Sequence, residues 1–180
     1  MTDAPGTRGT RVPDPIGLLR GLRQTRHFRA DPVPEAVLRD ILEVARWSGS
    51  GANRQPWEFV VVRDPGTLAG LGELAANAAH LGRAPLAIAV VMPGGQIALD
   101  AFDEGRAVER MAIAATAHGL GAGIGWILAD KRDAARELLD VPADRLLRSV
   151  LAIGYPAGGG RRATGAGRKP LADLVHDERW

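Results

Sequence analysis

Arg23 and Arg26 stand three residues apart in the segment L-R-Q-T-R-H-F, with Gln24 and Thr25 between them. Two forked guanidiniums at that spacing, with an amide and a hydroxyl beside them, can clamp a phosphate. The segment also closes a short helical pattern. A cation at a helix C-terminal end interacts favourably with the dipole, which explains one of the two arginines without any ligand. A second segment, W-S-G-S-G-A-N-R-Q-P-W over residues 47–57, is a polar loop of small residues between a long helical pattern and a strand. A third, G-Y-P-A-G-G-G-R-R-A-T-G-A-G-R-K-P-L over residues 154–171, is rich in glycine and arginine, a composition that solvation alone can explain. The run G-L-G-A-G-I-G-W follows a helix rather than a strand, so it is no dinucleotide fingerprint. It reads equally as a helix stop followed by tight packing, or as bare backbone held against a flat ligand.

Other chemistries find little support. The chain has no cysteine, which removes disulfides, thiolate metal sites and a cysteine nucleophile. Its four histidines, His27, His80, His118 and His176, lack metal-ligand spacing. His118 sits near a helix end, where a favourable dipole interaction is a better reading than a base. No G-x-S-x-G elbow and no G-x-x-x-x-G-K-[ST] loop occurs. No catalytic acid–base set and no metal site is therefore expected.

These segments need a scaffold to position them, and 180 residues with 46% hydrophobic and 24% charged composition suffice for one globular domain. Residues 1–14 read as a disordered arm and 15–180 as the folded domain. Helical patterns cover Pro15 to Arg23, Glu35 to Trp47, Thr67 to His80, Phe102 to His118 (with Gly119 as its cap) and Asp130 to Leu139. Strand patterns cover Trp57 to Val62, Pro85 to Met92, Gly121 to Leu128 and Leu146 to Tyr155. The apolar run P-L-A-I-A-V-V-M predicts a central strand buried on both faces. Ala157 to Gly167 reads as a loop and Arg168 to Trp180 as a tail. Interleaved helices and about four strands make an α+β domain.

Taken in order, the motifs resemble the FMN-dependent nitroreductase superfamily over residues 16–180. That family opens with R-R-S-x-R-x-F, matched here by Arg23, Arg26 and Phe28, with Leu22 and Gln24 in place of an arginine and a serine. Its second motif, P-S-x-x-N-x-Q-P-W-x-F, is matched by Ser50, Asn53, Gln55, Pro56 and Trp57, with Gly49 in the proline place. Its long helix ends in G-L-G, as at Gly119 to Gly121, and its last strand ends in G-Y-P, as at Gly154 to Pro156. An arginine before P-L follows, as Arg168 does, and Arg110 stands where asparagine is common.

The resemblance implies a largely antiparallel mixed sheet flanked by helices, with a C-terminal arm from about residue 156 exchanged across a homodimer. It implies tightly bound FMN, NADH or NADPH as hydride donor, and ping-pong transfer through flavin N5 to a small acceptor such as a nitroaromatic or quinone. The flavin would carry the chemistry. Arg23, Arg26 and Arg168 would hold its phosphate and ribityl chain, and Ser50 and Asn53 would come from the partner subunit to the ring system. Gln24, Thr25, Gly49 and Gln55, in the same two motifs, would also be cofactor-binding. Backbone at Gly123, Ile124 and Gly125 would lie against the isoalloxazine. The same family hosts dehalogenation, dehydrogenation of peptide-derived substrates and flavin fragmentation, and fold does not choose among them. A flavin- or nucleotide-binding protein without turnover is a further alternative.

Partners of other kinds are not expected. The pI is about 9.6, but aromatics are only 4% and the arginines are scattered, so a nucleic-acid module is disfavoured. The N-terminal residues carry no apolar run of seven or more, and no stretch reaches the length of a membrane span. A cytoplasmic location is the expectation.

Overall fold

The computed structural model describes residues 14–158 and 167–180. The expected disordered segment at 1–14, apart from its last residue, and most of the expected loop at 157–167 lie outside the described residues.

Five strands form one sheet in the order β1-β3-β5-β4-β2. They are β1 (Glu58–Val62), β2 (Ala75–Ala76), β3 (Leu86–Met92), β4 (Gly121–Ile127) and β5 (Leu146–Gly154). Every strand pairing is antiparallel, and the one parallel contact among the described residues is an isolated bridge between Gln24 and Ala122. β3 is buried along its whole length between β1 and β5, as its continuous apolar run requires.

The two faces are covered by different helices. On one face α2 (Glu35–Arg46) and the long α4 (Ile97–Ala117) pack Leu38, Ile41, Ala107, Val108 and Met111 onto Ile88, Val90, Leu151 and Ile153. On the other, α3 (Pro65–Leu74) and α5 (Arg132–Leu138) bring Leu68, Leu71 and Ala135 onto Ala87, Ala89, Leu147 and Val150. The short α1 (Pro15–Gly21) buries no residue of its own.

β5 holds a charged pair in the middle of this core. The ladder with β3 slips between Val90 and Val91, so Arg148 is the extra residue of a bulge. Arg148 and Ser149 both reach Glu104 of α4: Arg148 Nε donates to Oε2 at 2.8 Å and Ser149 Oγ to Oε1 at 2.5 Å. All three side chains are buried, and pairing the two charges removes the cost of an isolated one.

Two boundaries differ from the sequence pattern. The alanine-rich stretch after Leu74 does not continue as helix to His80. Ala75 and Ala76 pair with Ile127 and Trp126, so an open sheet edge overrides alanine's helix preference, and Asn77 turns the chain at φ 51°. α4 starts at Ile97, five residues before Phe102, because Asp100 is buried and accepts the Gly94 N–H at 3.0 Å, tying the first turn to the preceding loop.

Candidate functional site

The segment after α1 runs along the free edge of β4 like a short added strand. Thr25 N–H donates to Ala122 O at 2.7 Å, and Gln24 Oε1 accepts the Ile124 N–H at 2.7 Å. Farther on, Phe28 bridges to Pro156, Arg29 N–H donates to Tyr155 O at 2.9 Å, and Ala157 N–H donates to His27 O at 2.9 Å. The first and third motifs are thereby stitched together at the ends of β4 and β5.

The alternating glycines of β4 make this docking possible. A Cβ on Gly121 would strike the Thr25 side chain, and one on Gly123 would strike the Thr25 carbonyl and come within 3.0 Å of His80. A Cβ on Gly125 would meet Leu81 at 2.7 Å and Ala78 at 3.1 Å. The bare side of the strand is therefore filled by this chain's own atoms, the tight-packing alternative of the sequence reading. Ile124 and Trp126 occupy the opposite side, toward α4.

Behind Gly123 lies His80, 5% exposed, with neither ring nitrogen hydrogen-bonded among the described residues. Burial holds its pKa below the ordinary value, and the nearby Arg26 charge adds to this against an opposing Gly123 backbone contribution.

A cavity of about 490 Å³ opens between α1, α4, β4 and the C-terminal arm. Arg20, Arg23, Gln24 and Arg168 line it with Glu109 and Thr116, over an apolar floor that includes Leu22 and Ala122. Residues from the two ends of the chain thus converge on one pocket. Arg23 serves the helix end as well: Nη1 donates to Arg20 O at 2.8 Å and Leu22 O at 2.6 Å, so it is the dipole-stabilising arginine of the pair. Arg26 and Thr25 belong to the same segment but do not line the cavity.

The second motif sits elsewhere on α4. Ser50 Oγ accepts the Gln55 N–H at 2.9 Å and closes the loop. Ala52, Asn53 and Gln55 are all left-handed, with φ of 50°, 54° and 48°. Non-glycine residues resist that conformation, and a buried ionic clamp holds it. Arg54 Nη2 reaches Asp103 Oδ2 at 3.2 Å and Asp100 Oδ1 at 3.4 Å, while Gly51 N–H donates to Asp103 at 3.4 Å. Both carboxylates are fully buried. Gly49 leaves room for the Arg106 guanidinium, which a Cβ there would strike, and Arg110 Nη1 donates to Trp47 O at 2.9 Å.

Six residues of α4 separate Asp103, under this loop, from Glu109, the first cavity-lining residue of the helix, or about 9 Å. No residue of 49–55 lines the cavity. The structure brings Arg23, Gln24 and Arg168 together and leaves Gly49, Ser50, Asn53 and Gln55 apart from them within one chain.

The sequence reading passed over Arg20, Glu109, Arg54, Asp100 and Asp103. Asp100 and Asp103 did carry a signal, since α4 also presents apolar residues at helical spacing beyond them, so acidic residues on that stripe must be paired. Arg20 carried none beyond its type.

Comparison with known proteins now gives these features a family. Residues 19–93 match the model of the Nitroreductase family. An NADH dehydrogenase of Thermus thermophilus is 31% identical, the match covering 75% of this chain and 83% of that protein. A 5,6-dimethylbenzimidazole synthase of Rhodospirillum rubrum is 30% identical over 77% of this chain and 80% of its own length. An FMN-dependent nitroreductase from Clostridium difficile superposes with a TM-score of 0.80 at 25% identity, covering 92% of this chain and 99% of its own. The chain belongs to the nitroreductase family.

Proposed function

We propose that this protein is an FMN-dependent NAD(P)H oxidoreductase that passes electrons to a small organic acceptor. The observation that carries the reading is the convergence of Arg23, Gln24 and Arg168 on one cavity. Arg168 stands 145 positions after Arg23 in the chain, so only the fold can bring them together. The cavity suits the phosphate end of the cofactor: three arginines and a single glutamate line it, and forked donors suit a dianionic phosphate. The names of two similar proteins, an NADH dehydrogenase and an FMN-dependent nitroreductase, agree with this assignment.

When bound, FMN would supply hydride acceptance from NADH or NADPH and its delivery to the acceptor. The protein's part is to bind and orient. Arg168 and Arg23 hold the phosphate end, with Gln24 and Thr25 along the chain toward the ring. Arg26, exposed outside the cavity and with its charge near His80, would offer positive charge to a reduced ring system lying on that side. The Ile124 N–H, now satisfied by Gln24 Oε1, is a donor that a ring acceptor can take over when the Gln24 side chain turns away.

The site is completed by a second copy. Leu171, Leu174 and Val175 of the arm are 75%, 56% and 60% exposed, and Trp180 is fully exposed. Ile97 and Phe102 of α4 and Trp126 of β4 are also open. These large exposed apolar side chains are the ones an interface would cover. A twofold partner would cover it and bring the 49–55 loop to the other chain's cavity.

The purified protein should absorb in the flavin bands after desalting, or quench FMN fluorescence on titration, and oxidise NAD(P)H when an acceptor is supplied. Colourless protein that leaves FMN fluorescence unchanged would overturn the assignment. Arg168→Ala should weaken FMN binding about 10- to 100-fold, from the loss of one charge-assisted hydrogen bond. Arg161→Ala and Arg162→Ala should have little effect.

A further inference from the structure

We infer that Arg20 is a phosphate-binding residue of this chain, supplying from α1 the charge that is missing at Leu22. The inference rests on the FMN reading above and concerns how this sequence, with its altered first motif, fulfils it.

Leu22 lines the cavity, but its isobutyl group cannot donate a hydrogen bond. Arg23 lines it too, yet one of its terminal nitrogens is spent on the Arg20 and Leu22 carbonyls that end α1. Those two bonds fix its guanidinium against the helix end and leave fewer donors to turn toward a ligand. Arg20 has no such engagement among the described residues, and it also lines the cavity.

Arg20 sits in the last turn of α1 and Arg23 lies just past its end, beyond Leu22, yet both line the one cavity. Like charges lining one cavity repel. Arg168 adds a third guanidinium from the arm, and Glu109 is the one carboxylate in the lining. No ion pair among the described residues joins Glu109 to any of the three. A pocket with three guanidiniums and one carboxylate is net positive and is relieved by a dianion. An ordinary surface arginine in the last turn of a helix would gain only the weak dipole interaction, and would not need to face a cavity shared with the distant Arg168.

FMN and riboflavin differ only in the phosphate, so they separate this role from general shaping of the pocket. Fluorescence-quenching titrations with both flavins are made on the wild-type chain, Arg20→Ala, Arg20→Lys, and Arg20→Ala combined with Leu22→Arg. The melting temperature of each flavin-free protein is measured alongside. Arg20→Ala should weaken FMN about 10- to 100-fold and leave riboflavin unchanged. Arg20→Lys should fall between, since an ammonium keeps the charge without the fork. Leu22→Arg should restore much of the loss by returning a guanidinium to the same cavity.

An equal loss for both flavins, or no loss for either, overturns the assignment of Arg20 while leaving the flavin reading intact. A folded wild-type protein that binds neither flavin overturns both. If Arg20→Ala melts too early to titrate, the Lys variant and the rescued double variant decide by the same FMN-to-riboflavin ratio.

Discussion

Replacing Arg54 with methionine tests whether the buried clamp holds the second motif in place. Methionine keeps the length and apolar stem and removes the charge. Asp100 and Asp103 would then be two fully buried carboxylates, each keeping one backbone N–H, from Gly94 at 3.0 Å and from Gly51 at 3.4 Å. The nearest remaining cation to Asp103 is Arg106, at 3.9 Å. Removing one partner of a buried ion pair costs about 3–5 kcal/mol. The Arg54 side chain is 26% exposed, so water already screens part of the interaction and the lower end, about 3 kcal/mol, applies. For a chain of this size that corresponds to a melting temperature about 6–12 °C lower.

The loop above the clamp should also relax. Three left-handed residues there each cost on the order of 1 kcal/mol and persist only while their surroundings hold them. FMN affinity should therefore fall with stability, whereas a remote variant of equal destabilisation should leave affinity intact. Adding Asp103→Asn to Arg54→Met removes one stranded charge and should recover part of the stability, a coupling that a double-mutant cycle measures. Thermal melts of all four proteins and FMN titrations supply the data. An Arg54→Met protein melting within about 1 °C of wild type, with no coupling to Asp103, would refute the clamp, because that is the behaviour of a solvated surface arginine.

Two glycines should respond oppositely: Gly123→Ala should destabilise, because its Cβ meets the Thr25 carbonyl, while Gly105→Ala, in open space within α4, should stabilise by about 0.8–1.0 kcal/mol, both read from denaturant midpoints. His80 has a folded-state pKa below the unfolded value, so its contribution is fully present above about pH 6.5 and is lost as pH falls below that. His80→Leu should accordingly flatten the acid side of a stability-versus-pH curve, and an unchanged curve would show that His80 titrates normally. A mixed dimer of Arg23→Glu with Ser50→Trp should regain about half of wild-type activity per heterodimer, because one composite site collects both lesions and the other neither. Folded heterodimers that stay inactive would place each site within one chain.

Much of this architecture is legible in the sequence because its signals are local. β3 announces itself by seven consecutive apolar residues, and α2 by a single apolar stripe. Gly119 ends α4 at φ 75°, as its place after the periodic residues suggests. What escaped depends on distant partners. Ala75 and Ala76 form a strand only because β4 offers an edge to them. Arg54 looks like one more polar loop residue until α4 brings Asp100 and Asp103 beneath it. The site shows the same division. Arg23 and Arg168 stand out by motif, but Arg20 acquires meaning only when the fold sets it in the same cavity lining as Arg168. The glycines of β4 were ambiguous for a related reason: spacing shows that space is needed, and only the fold shows that Thr25, His80 and Leu81 take it.

The bond between Gln24 and Ile124 joins residues 100 positions apart. Closing so long a loop carries an entropic cost that must be met before the contact forms, and such contacts slow folding. During synthesis the segment around Gln24 leaves the ribosome long before β4 exists to receive it, and Arg168 follows later still. The cavity is thus lined by segments far apart in the chain, and its lining comes together only after the sheet between them has formed. Were the proposed cofactor to bind there, it would hold these late-meeting segments together and so report on the last long-range contacts of the fold rather than on its core.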